Sequence, residues 1–132
     1  MENMKQSMLE KIENRTLRIG VVGLGYVGLP LAVEKAKAGF PTIGFDVQQE
    51  KVDMVNAGHN YIGDVVDSEL KDLVAAGKLS ATSDYSFVKE VDFVAICVPT
   101  PLDDHQQPDV SYMRDSAIEV AKHLHKGTAV VL

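Results

Sequence analysis

The sequence predicts an α/β fold with a doubly wound parallel sheet. Short apolar runs typical of buried strands alternate with segments whose apolar residues have helical spacing, and short connections join them. A glycine-rich turn at residues 23–28 separates the first apolar run from the first helical segment, and Asp46 ends the second run. Because crossovers between parallel strands are right-handed, this alternation favours helices on both faces of one sheet.

The elements follow one another in a regular order along the chain. The predicted strands are residues 17–22, 41–47, 79–82, 91–98 and 128–132. The predicted helices are residues 29–38, 48–56, 67–76 and 111–125, with one or two helical turns at 84–90. The run 91–98 is almost wholly apolar, which indicates a strand inside the sheet. The last helix is expected to bury a stripe formed by Met113, Ala117, Val120, Ala121 and Leu124.

The two ends of the chain lead to different expectations. Residues 1–16 precede the domain and carry Met4, Met8 and Ile12 at intervals of four, which fits either a short amphipathic helix or a frayed tail. Residues 128–132 read as a strand that the sequence leaves incomplete, and an unprotected apolar edge invites pairing with other chains. We therefore expect residues 17–132 to be an incomplete domain of a longer protein, with the sheet truncated after about five strands.

Composition and charge exclude several classes of protein. The chain has 132 residues, enough for one domain with a proper core, and 45% of them are hydrophobic. A net charge of −6 argues against nucleic-acid binding. No apolar run reaches the roughly 18 residues of a membrane-spanning helix, and residues 1–16 lack the apolar region of a secretory signal. Cys97 is the only cysteine, so no disulfide framework exists, which fits a reducing cytoplasm.

The turn at residues 23–28 reads G-x-G-x-x-G between a strand and a helix, which is the context of a dinucleotide-binding fingerprint in a Rossmann-like sheet. In such a turn Gly23 permits the tight bend, Gly25 lets a pyrophosphate approach the backbone, and Gly28 lets the helix lie close to the sheet. The helix N-terminus adds N–H groups and about half a positive charge for the anion. The alternative is a plain strand–turn–helix connection without a ligand.

Asp46 lies 18 residues after Gly28, where a dinucleotide-binding fold carries an acid that accepts hydrogen bonds from the adenosine ribose. Its charge would repel a 2′-phosphate, so the position favours NAD over NADP. The alternative for Asp46 is a solvated loop acid or a helix cap. Lys51 follows in the next helix, and on spacing alone a solvated lysine is the simpler interpretation.

Two residues near the end of the fourth predicted strand could carry chemistry. Thr100 lies between Pro99 and Pro101, which hold it in a stiff, extended segment near the expected second half of a dinucleotide. A structural turn is the alternative for Thr100. Cys97 lies in the apolar strand without a cationic neighbour in sequence, which predicts a buried, unreactive thiol. The 4 histidines are scattered, and the sequence indicates neither a metal site nor a nucleophile–base pair.

Three segments together resemble the UDP-glucose/GDP-mannose dehydrogenase family. They are residues 19–30, which read IGVVGLGYVGLP, then Phe45-Asp46 with Lys51-Val52, and residues 97–102, which read CVPTPL. The resemblance covers residues 17–132, and the strings GYVGLP and VPTP are fairly specific to the family. The form PTPL followed by Pro108-Asp109 looks more like members that act on UDP-N-acetylhexosamines, such as UDP-N-acetylglucosamine or UDP-N-acetylmannosamine, than like UDP-glucose enzymes.

The resemblance implies NAD-dependent oxidation of the C6 hydroxyl of a UDP-sugar to a carboxylate, with two NAD molecules and a cysteine thioester. It implies that NAD is contacted by Tyr26, Val27, Asp46, Lys51 and Thr100, beside the turn glycines. It also implies that the catalytic cysteine, lysine and acid lie beyond the end of this chain. We therefore expect no catalytic residue here, NAD binding without turnover, and a parent protein that is a cytoplasmic homo-oligomer acting in polysaccharide biosynthesis.

Two other functions remain open at the level of sequence. The first is the NAD domain of a hydroxyacid or hydroxyacyl-CoA dehydrogenase, which shares the glycine turn and the ribose acid but does not predict Pro-Thr-Pro after the fourth strand. The second is a non-catalytic nucleotide-sensing module. A cysteine-bearing second domain downstream of this chain would favour the nucleotide-sugar dehydrogenase.

Overall fold

A computed structural model describes residues 3–98, 104–107 and 111–131 of the chain. The strands in this part are Ile19–Val22 (β1), Thr42–Phe45 (β2), Leu79–Thr82 (β3), Phe93–Ile96 (β4) and Ala129–Val131 (β5). They form one parallel sheet in the order β3-β2-β1-β4-β5. The predicted five-stranded parallel sheet is confirmed, although most strands are shorter than the apolar runs that predicted them.

Helices precede or connect the strands on both faces of the sheet. The α-helices in the described part are Asn3–Asn14 (α1), Gly28–Lys37 (α2), Gln49–Asn56 (α3), Asp67–Ala75 (α4) and Ser111–Ala121 (α5). A 3₁₀ helix, Tyr85–Glu90, connects β3 to β4 and begins behind Asp84, whose carboxylate accepts the Ser86 N–H. The predicted doubly wound, Rossmann-like α/β fold is therefore confirmed.

The sheet separates two hydrophobic cores, because successive side chains of a strand point to opposite faces. Val21 belongs to the core under α2, α3 and α4, together with Leu29 of α2 and Leu70 of α4. Val22 belongs to the other core, with Phe45 and Val120 of α5. Strand order reverses beside β1, since the chain runs outward to β3 and then returns to β4 on the other side. That reversal is where open α/β sheets bind ligands.

The register aligns the carboxyl ends of the three central strands. Val22 at the end of β1 pairs with Phe45 of β2 on one side and with Ile96 of β4 on the other. The segments that follow these three strands therefore leave the sheet at one level. They are the glycine turn, Asp46 and the segment beginning at Cys97.

Residues 3–14 form a helix rather than a frayed tail, which decides between the two alternatives for this end of the chain. Met8 of α1 packs against the core that α2 covers. Lys11 forms an ion pair with Asp92 at 3.0 Å, and the second Asp92 oxygen accepts the Arg18 N–H at 3.0 Å. Arg15 lies over the Phe40 ring, 5.6 Å from its centroid. These contacts attach α1 to the amino ends of the strands, at the opposite end of the sheet from the glycine turn.

The prediction for the last helix was partly wrong. α5 ends at Ala121 instead of residue 125, so Leu124 leaves the helical face and is 43% exposed. Ala121 is also exposed, whereas Val120 is buried and Ala117 packs against it. The reason is that α5 rests on β4 and the 3₁₀ helix near one side of the sheet, where little surface is available to cover a full stripe.

The ion pair between α1 and the sheet leads to a prediction about pH. Asp92→Asn should lower the free energy of unfolding by about 1 kcal/mol at pH 7, because two charge-assisted hydrogen bonds lose their anion. Burial works to raise the pKa of Asp92, but the Arg18 N–H and the Lys11 ammonium outweigh it and lower the pKa. A lowered pKa stabilises the fold above the ordinary value of about 4, and the contribution is lost as pH falls through the folded value.

Urea unfolding of both proteins at pH 7 and pH 3 measures this effect. The difference between them should shrink at pH 3, because the carboxyl of the unfolded chain is then largely protonated while the folded carboxyl has a lowered pKa. Asp72→Asn is the matched control, since Asp72 is an exposed acid on α4. A loss of the same size at both pH values would contradict the ionic role of Asp92.

Candidate functional site

A cavity of about 480 Å³ opens at the carboxyl ends of the central strands, beside the point where the strand order reverses. One wall comes from the glycine turn, the end of β2 and the start of α3, through Gly23, Asp46, Val47, Gln48 and Lys51. Val98, which follows β4, completes this side. The sequence predicts that the glycine turn and Asp46 lie together at the carboxyl ends of the strands, and in the structure Gly23 and Asp46 line the same cavity there.

Gly23 is required by the bend that follows β1. Its φ is +94°, a conformation that residues with a side chain rarely adopt. Its N–H donates to the Phe45 carbonyl oxygen at 2.7 Å, which continues the pairing with β2 past the last strand residue. A Cβ added here would lie 2.8 Å from the Cys97 carbonyl oxygen. Gly23 is thus a necessity of the fold.

Gly28 is required by the start of α2. A Cβ added at this position would lie 1.6 Å from the Gly23 carbonyl oxygen, which is far inside contact distance. The helix can begin this close to β1 only without a side chain here, and its first turn then lies directly over the glycine turn. Val27, which occupies the cap position before the helix, makes no side-chain hydrogen bond to the helix start.

Gly25 differs from the other two turn glycines. A Cβ added at Gly25 would meet nothing within 4 Å, and its φ is outside the left-handed region. The two residues that follow it, Tyr26 and Val27, expose 81% and 68% of their surface. Nothing in the described part of the chain therefore requires glycine at residue 25. The space in front of it is open at the N-terminal end of α2.

Asp46 is 7% exposed and is held by two backbone N–H groups. One carboxylate oxygen accepts the Leu24 N–H at 2.8 Å and the other accepts the Gln48 N–H at 2.9 Å. The residue thus links the glycine turn to the end of β2, and it starts the turn into α3. Each carboxylate oxygen can accept a second hydrogen bond. Asp46 has both the structural role of a turn residue and a carboxylate on the cavity wall.

Tyr61, in the connection between α3 and α4, also holds the turn and was missed by the sequence analysis. Its hydroxyl donates to the Leu24 carbonyl oxygen at 2.6 Å, so Asp46 and Tyr61 hold the two ends of the same residue. Burial, followed by the nearby Asp46 charge, raises the pKa of Tyr61 far above its ordinary value. The hydroxyl therefore stays a donor at neutral pH. No motif marks this residue, because the contact depends on how a polar loop folds back.

The remaining predicted residues have different surroundings. Lys51 lies on the cavity wall, in the first turn of α3. Thr100 falls outside the described residues, as does the Pro-Thr-Pro segment around it. Cys97 is half-buried rather than buried, because β4 ends one residue earlier, and its burial raises the pKa of the thiol. A raised pKa keeps the thiol protonated at neutral pH and therefore a poor nucleophile.

The opposite wall of the cavity comes from α5 and from the 3₁₀ helix, and the sequence analysis did not foresee it. The wall residues are Tyr112, Asp115, Ser116 and Glu119 of α5, with Tyr85 of the 3₁₀ helix. The four α5 residues follow helical spacing, so they form one polar face beside the stripe that contains Ala117 and Val120. That spacing is a signal that the sequence offered. The position of Tyr85 beside Phe45, with ring centroids 5.5 Å apart, is not readable from spacing.

The described residues contain no group of three or more histidine, cysteine, aspartate or glutamate side chains that could hold a metal ion. Among the same residues, no helix is both long enough and apolar enough to cross a membrane. The cavity is bordered by carboxylates and hydroxyls, with Lys51 as the cation on its wall. Of the predicted site residues, Gly23, Asp46 and Lys51 line the cavity, whereas Gly25, Tyr26, Val27 and Gly28 lie outside its described lining.

Comparisons with known proteins agree with this geometry. Residues 17–132 match the model of the UDP-glucose/GDP-mannose dehydrogenase family, NAD binding domain. A UDP-N-acetyl-D-mannosamine dehydrogenase of Pyrococcus horikoshii is 35% identical over 117 residues, covering 88% of this chain and 28% of that protein. A UDP-N-acetyl-D-glucosamine 6-dehydrogenase of Pseudomonas aeruginosa is 37% identical, covering 89% of this chain and 27% of that protein.

Solved structures give the same result. A UDP-D-ManNAc dehydrogenase from Pyrococcus horikoshii superimposes with a TM-score of 0.79 at 35% identity, covering 86% of this chain and 27% of that one. An arogenate dehydrogenase from Synechocystis superimposes with a TM-score of 0.59 at 21% identity, which shows a shared fold alone. This chain thus spans somewhat more than a quarter of the length of the relatives it matches.

The contrast between two turn glycines can be tested by stability. Gly28→Ala should lower the free energy of unfolding by about 3 kcal/mol, because the new methyl group collides with a backbone carbonyl that cannot move aside cheaply. Gly25→Ala should change it by no more than about 0.5 kcal/mol, since the added methyl group enters open space. Chemical denaturation of the three proteins measures both values. Equal losses for the two variants would contradict the packing described for Gly28.

Proposed function

Because the chain belongs to the UDP-glucose/GDP-mannose dehydrogenase family, matching its NAD-binding domain over residues 17–132, we propose that its cavity and the adjoining start of α2 hold NAD through the residues that the sequence predicted. The pyrophosphate lies at the N-terminus of α2, in front of Gly25. The adenosine ribose lies against Asp46. Bound there, NAD supplies a nicotinamide ring that accepts a hydride.

The observation that carries this proposal is the difference among the three turn glycines. Gly23 and Gly28 are required by backbone contacts of the chain itself, whereas Gly25 faces empty space. A plain strand–turn–helix connection has no need of a glycine at that position. A ligand whose charged groups approach the backbone does, because a side chain there would keep them away from the N–H groups of the helix start. This favours ligand binding over the structural alternative for the turn.

Other predicted residues, on the cavity wall and at the start of α2, fit the rest of the dinucleotide. Asp46 already accepts two backbone N–H groups and keeps lone pairs for the ribose hydroxyls. Tyr26 and Val27 lie exposed at the helix start, where they can cover the pyrophosphate. Lys51 on the same wall offers an ammonium group to the adenosine side of the ligand. Thr100 belongs to the same proposal through the family resemblance, since it lies outside the described residues.

We further propose that the parent protein oxidises the C6 hydroxyl of a UDP-N-acetylhexosamine to the uronate, as the names of the relatives support. This chain spans less than a third of those relatives, so we expect it to bind NAD without turning substrate over.

Family membership decides against the hydroxyacid and hydroxyacyl-CoA dehydrogenases. Turnover by the parent protein would distinguish an enzyme from a nucleotide-sensing module. The single cysteine supports a cytoplasmic location, and the half-exposed valines of β5 support self-association.

Gly25→Ala provides the direct test of the pyrophosphate position. The variant should fold as the wild type does but bind NAD at least about tenfold more weakly, because its methyl group lies where the anion approaches. Isothermal titration calorimetry gives the affinity, and thermal unfolding gives the stability. Gly63→Ala is the matched control, since residue 63 also faces open space, has a φ outside the left-handed region and does not line the cavity. Unchanged NAD affinity in Gly25→Ala would contradict the proposal.

The ribose role of Asp46 predicts a change in cofactor preference. The wild-type chain should prefer NAD to NADP, and Asp46→Asn should reduce that preference about tenfold, because the amide has no charge to repel a 2′-phosphate. Asp46→Asn also weakens the turn, since an amide can no longer accept both N–H groups. The ratio of the two affinities is therefore the informative measurement.

Tyr61→Phe separates the two effects of the Asp46 substitution. It removes the hydroxyl that holds Leu24 but leaves the carboxylate unchanged, so it should weaken NAD and NADP by the same factor. Fluorescence titration with the reduced cofactors measures the ratio of the two affinities in the wild-type chain and in each variant. A wild-type chain that binds NAD and NADP equally would refute the ribose role.

A further inference from the structure

The wall of the cavity formed by α5 carries acids that face the Asp46 side. Asp115 and Glu119 are four residues apart on one helical face, and both line the cavity. Among the described lining residues, three carboxylates therefore surround the space, with Lys51 as the cation. The carboxylates of the cavity come from two places, the end of β2 through Asp46 and the helix α5 through Asp115 and Glu119.

Neighbouring cations offset these acids only in part. Glu119 pairs with Lys122 at 2.9 Å and Asp115 lies 3.9 Å from Arg114, but in both pairs the side chains are half-exposed or more. Water and salt weaken such surface pairs, so they do not fully cancel the charge seen from the cavity. Neither Lys122 nor Arg114 lines the cavity itself.

Tyr85 is a second and independent sign that this wall meets a ligand. The residue is 8% exposed, yet it lines the cavity, and no hydrogen bond to its hydroxyl is found in the described part of the chain. Burial, then the charges of Asp46 and Glu119, raise its pKa to about 12, so the hydroxyl remains a donor at neutral pH. Because this hydroxyl opens onto the cavity without a partner in the described part of the chain, it is available to an acceptor on a bound ligand.

We propose that Glu119 and Asp115 of α5 form a second determinant of cofactor specificity, which excludes a dinucleotide carrying a 2′-phosphate from the side opposite Asp46. The inference rests on the proposed NAD site. A phosphate monoester carries nearly two negative charges at pH 7. Two carboxylates across the cavity repel it, whereas the uncharged ribose of NAD experiences little of this repulsion. Tyr85 donates to the neutral adenosine moiety between the two acidic walls.

Charge-neutral variants of the whole chain test this inference by binding alone. Glu119→Gln should tighten NADP binding about threefold, and Glu119→Gln combined with Asp115→Asn about tenfold, the order expected of screened charges. NAD affinity should change by less than about twofold in both proteins. Glu90→Gln removes one charge from the end of the 3₁₀ helix, outside the cavity, and should leave both affinities unchanged.

Ionic strength gives a second readout, which a purely structural effect would not produce. In the wild-type chain, raising the salt from 20 mM to 500 mM should reduce the preference for NAD, because the Debye length falls from about 20 Å to about 4 Å. In the double variant the preference should depend less on salt. NADP affinities equal to the wild-type value in both variants would overturn the role of α5, with the NAD site intact. A wild-type chain that binds neither cofactor would overturn the proposed function as well.

Discussion

The contact between α2 and the glycine turn is the constraint on which the site depends. The helix begins so close to β1 that the space for a side chain at Gly28 is already taken by the Gly23 carbonyl oxygen. This approach directs the first turn of the helix, with its N–H groups, toward the carboxyl end of the sheet. A helix set farther out would pack with ordinary side chains but would leave the helix start away from the cavity. Close packing and the proposed anion site are thus two results of one contact.

Asp46 and the residue that it holds, Leu24, likewise combine a role in the fold with a proposed role in the site. The Leu24 N–H donates to Asp46 and the Leu24 carbonyl accepts from Tyr61, so a single peptide segment is fixed from two directions. The Leu24 side chain is fully buried and lies against Gly44 of β2, which leaves the turn no room to move sideways. An acid that reads a ribose must stay in place to discriminate. Here the backbone hydrogen bonds that fix the carboxylate also shape the turn that we propose receives the pyrophosphate.

Much of the fold and half of the site could be predicted from the sequence, for identifiable reasons. The five strands, the turn glycines and Asp46 are local signals, because each depends on residues adjacent in the chain. The roles of Gly23 and Gly28 were readable from one string. Tyr61 and Tyr85 were not, since their contacts join segments more than twenty residues apart through loops without a motif. The end of α5 was misjudged because spacing shows which face is apolar but not how much sheet is available to cover it.

The role proposed for the α5 wall follows from topology rather than from any single motif. The chain leaves β1 in one direction and β4 in the other, so α3 and α5 lie on opposite faces of the sheet, and both line the cavity at the carboxyl ends of the strands. Any ligand that enters between them is read from both faces at once. A specificity that rests on both walls is harder to lose by one substitution than a specificity that rests on Asp46 alone. The reversal of strand order therefore provides a place to bind and also two independently variable surfaces to select what binds.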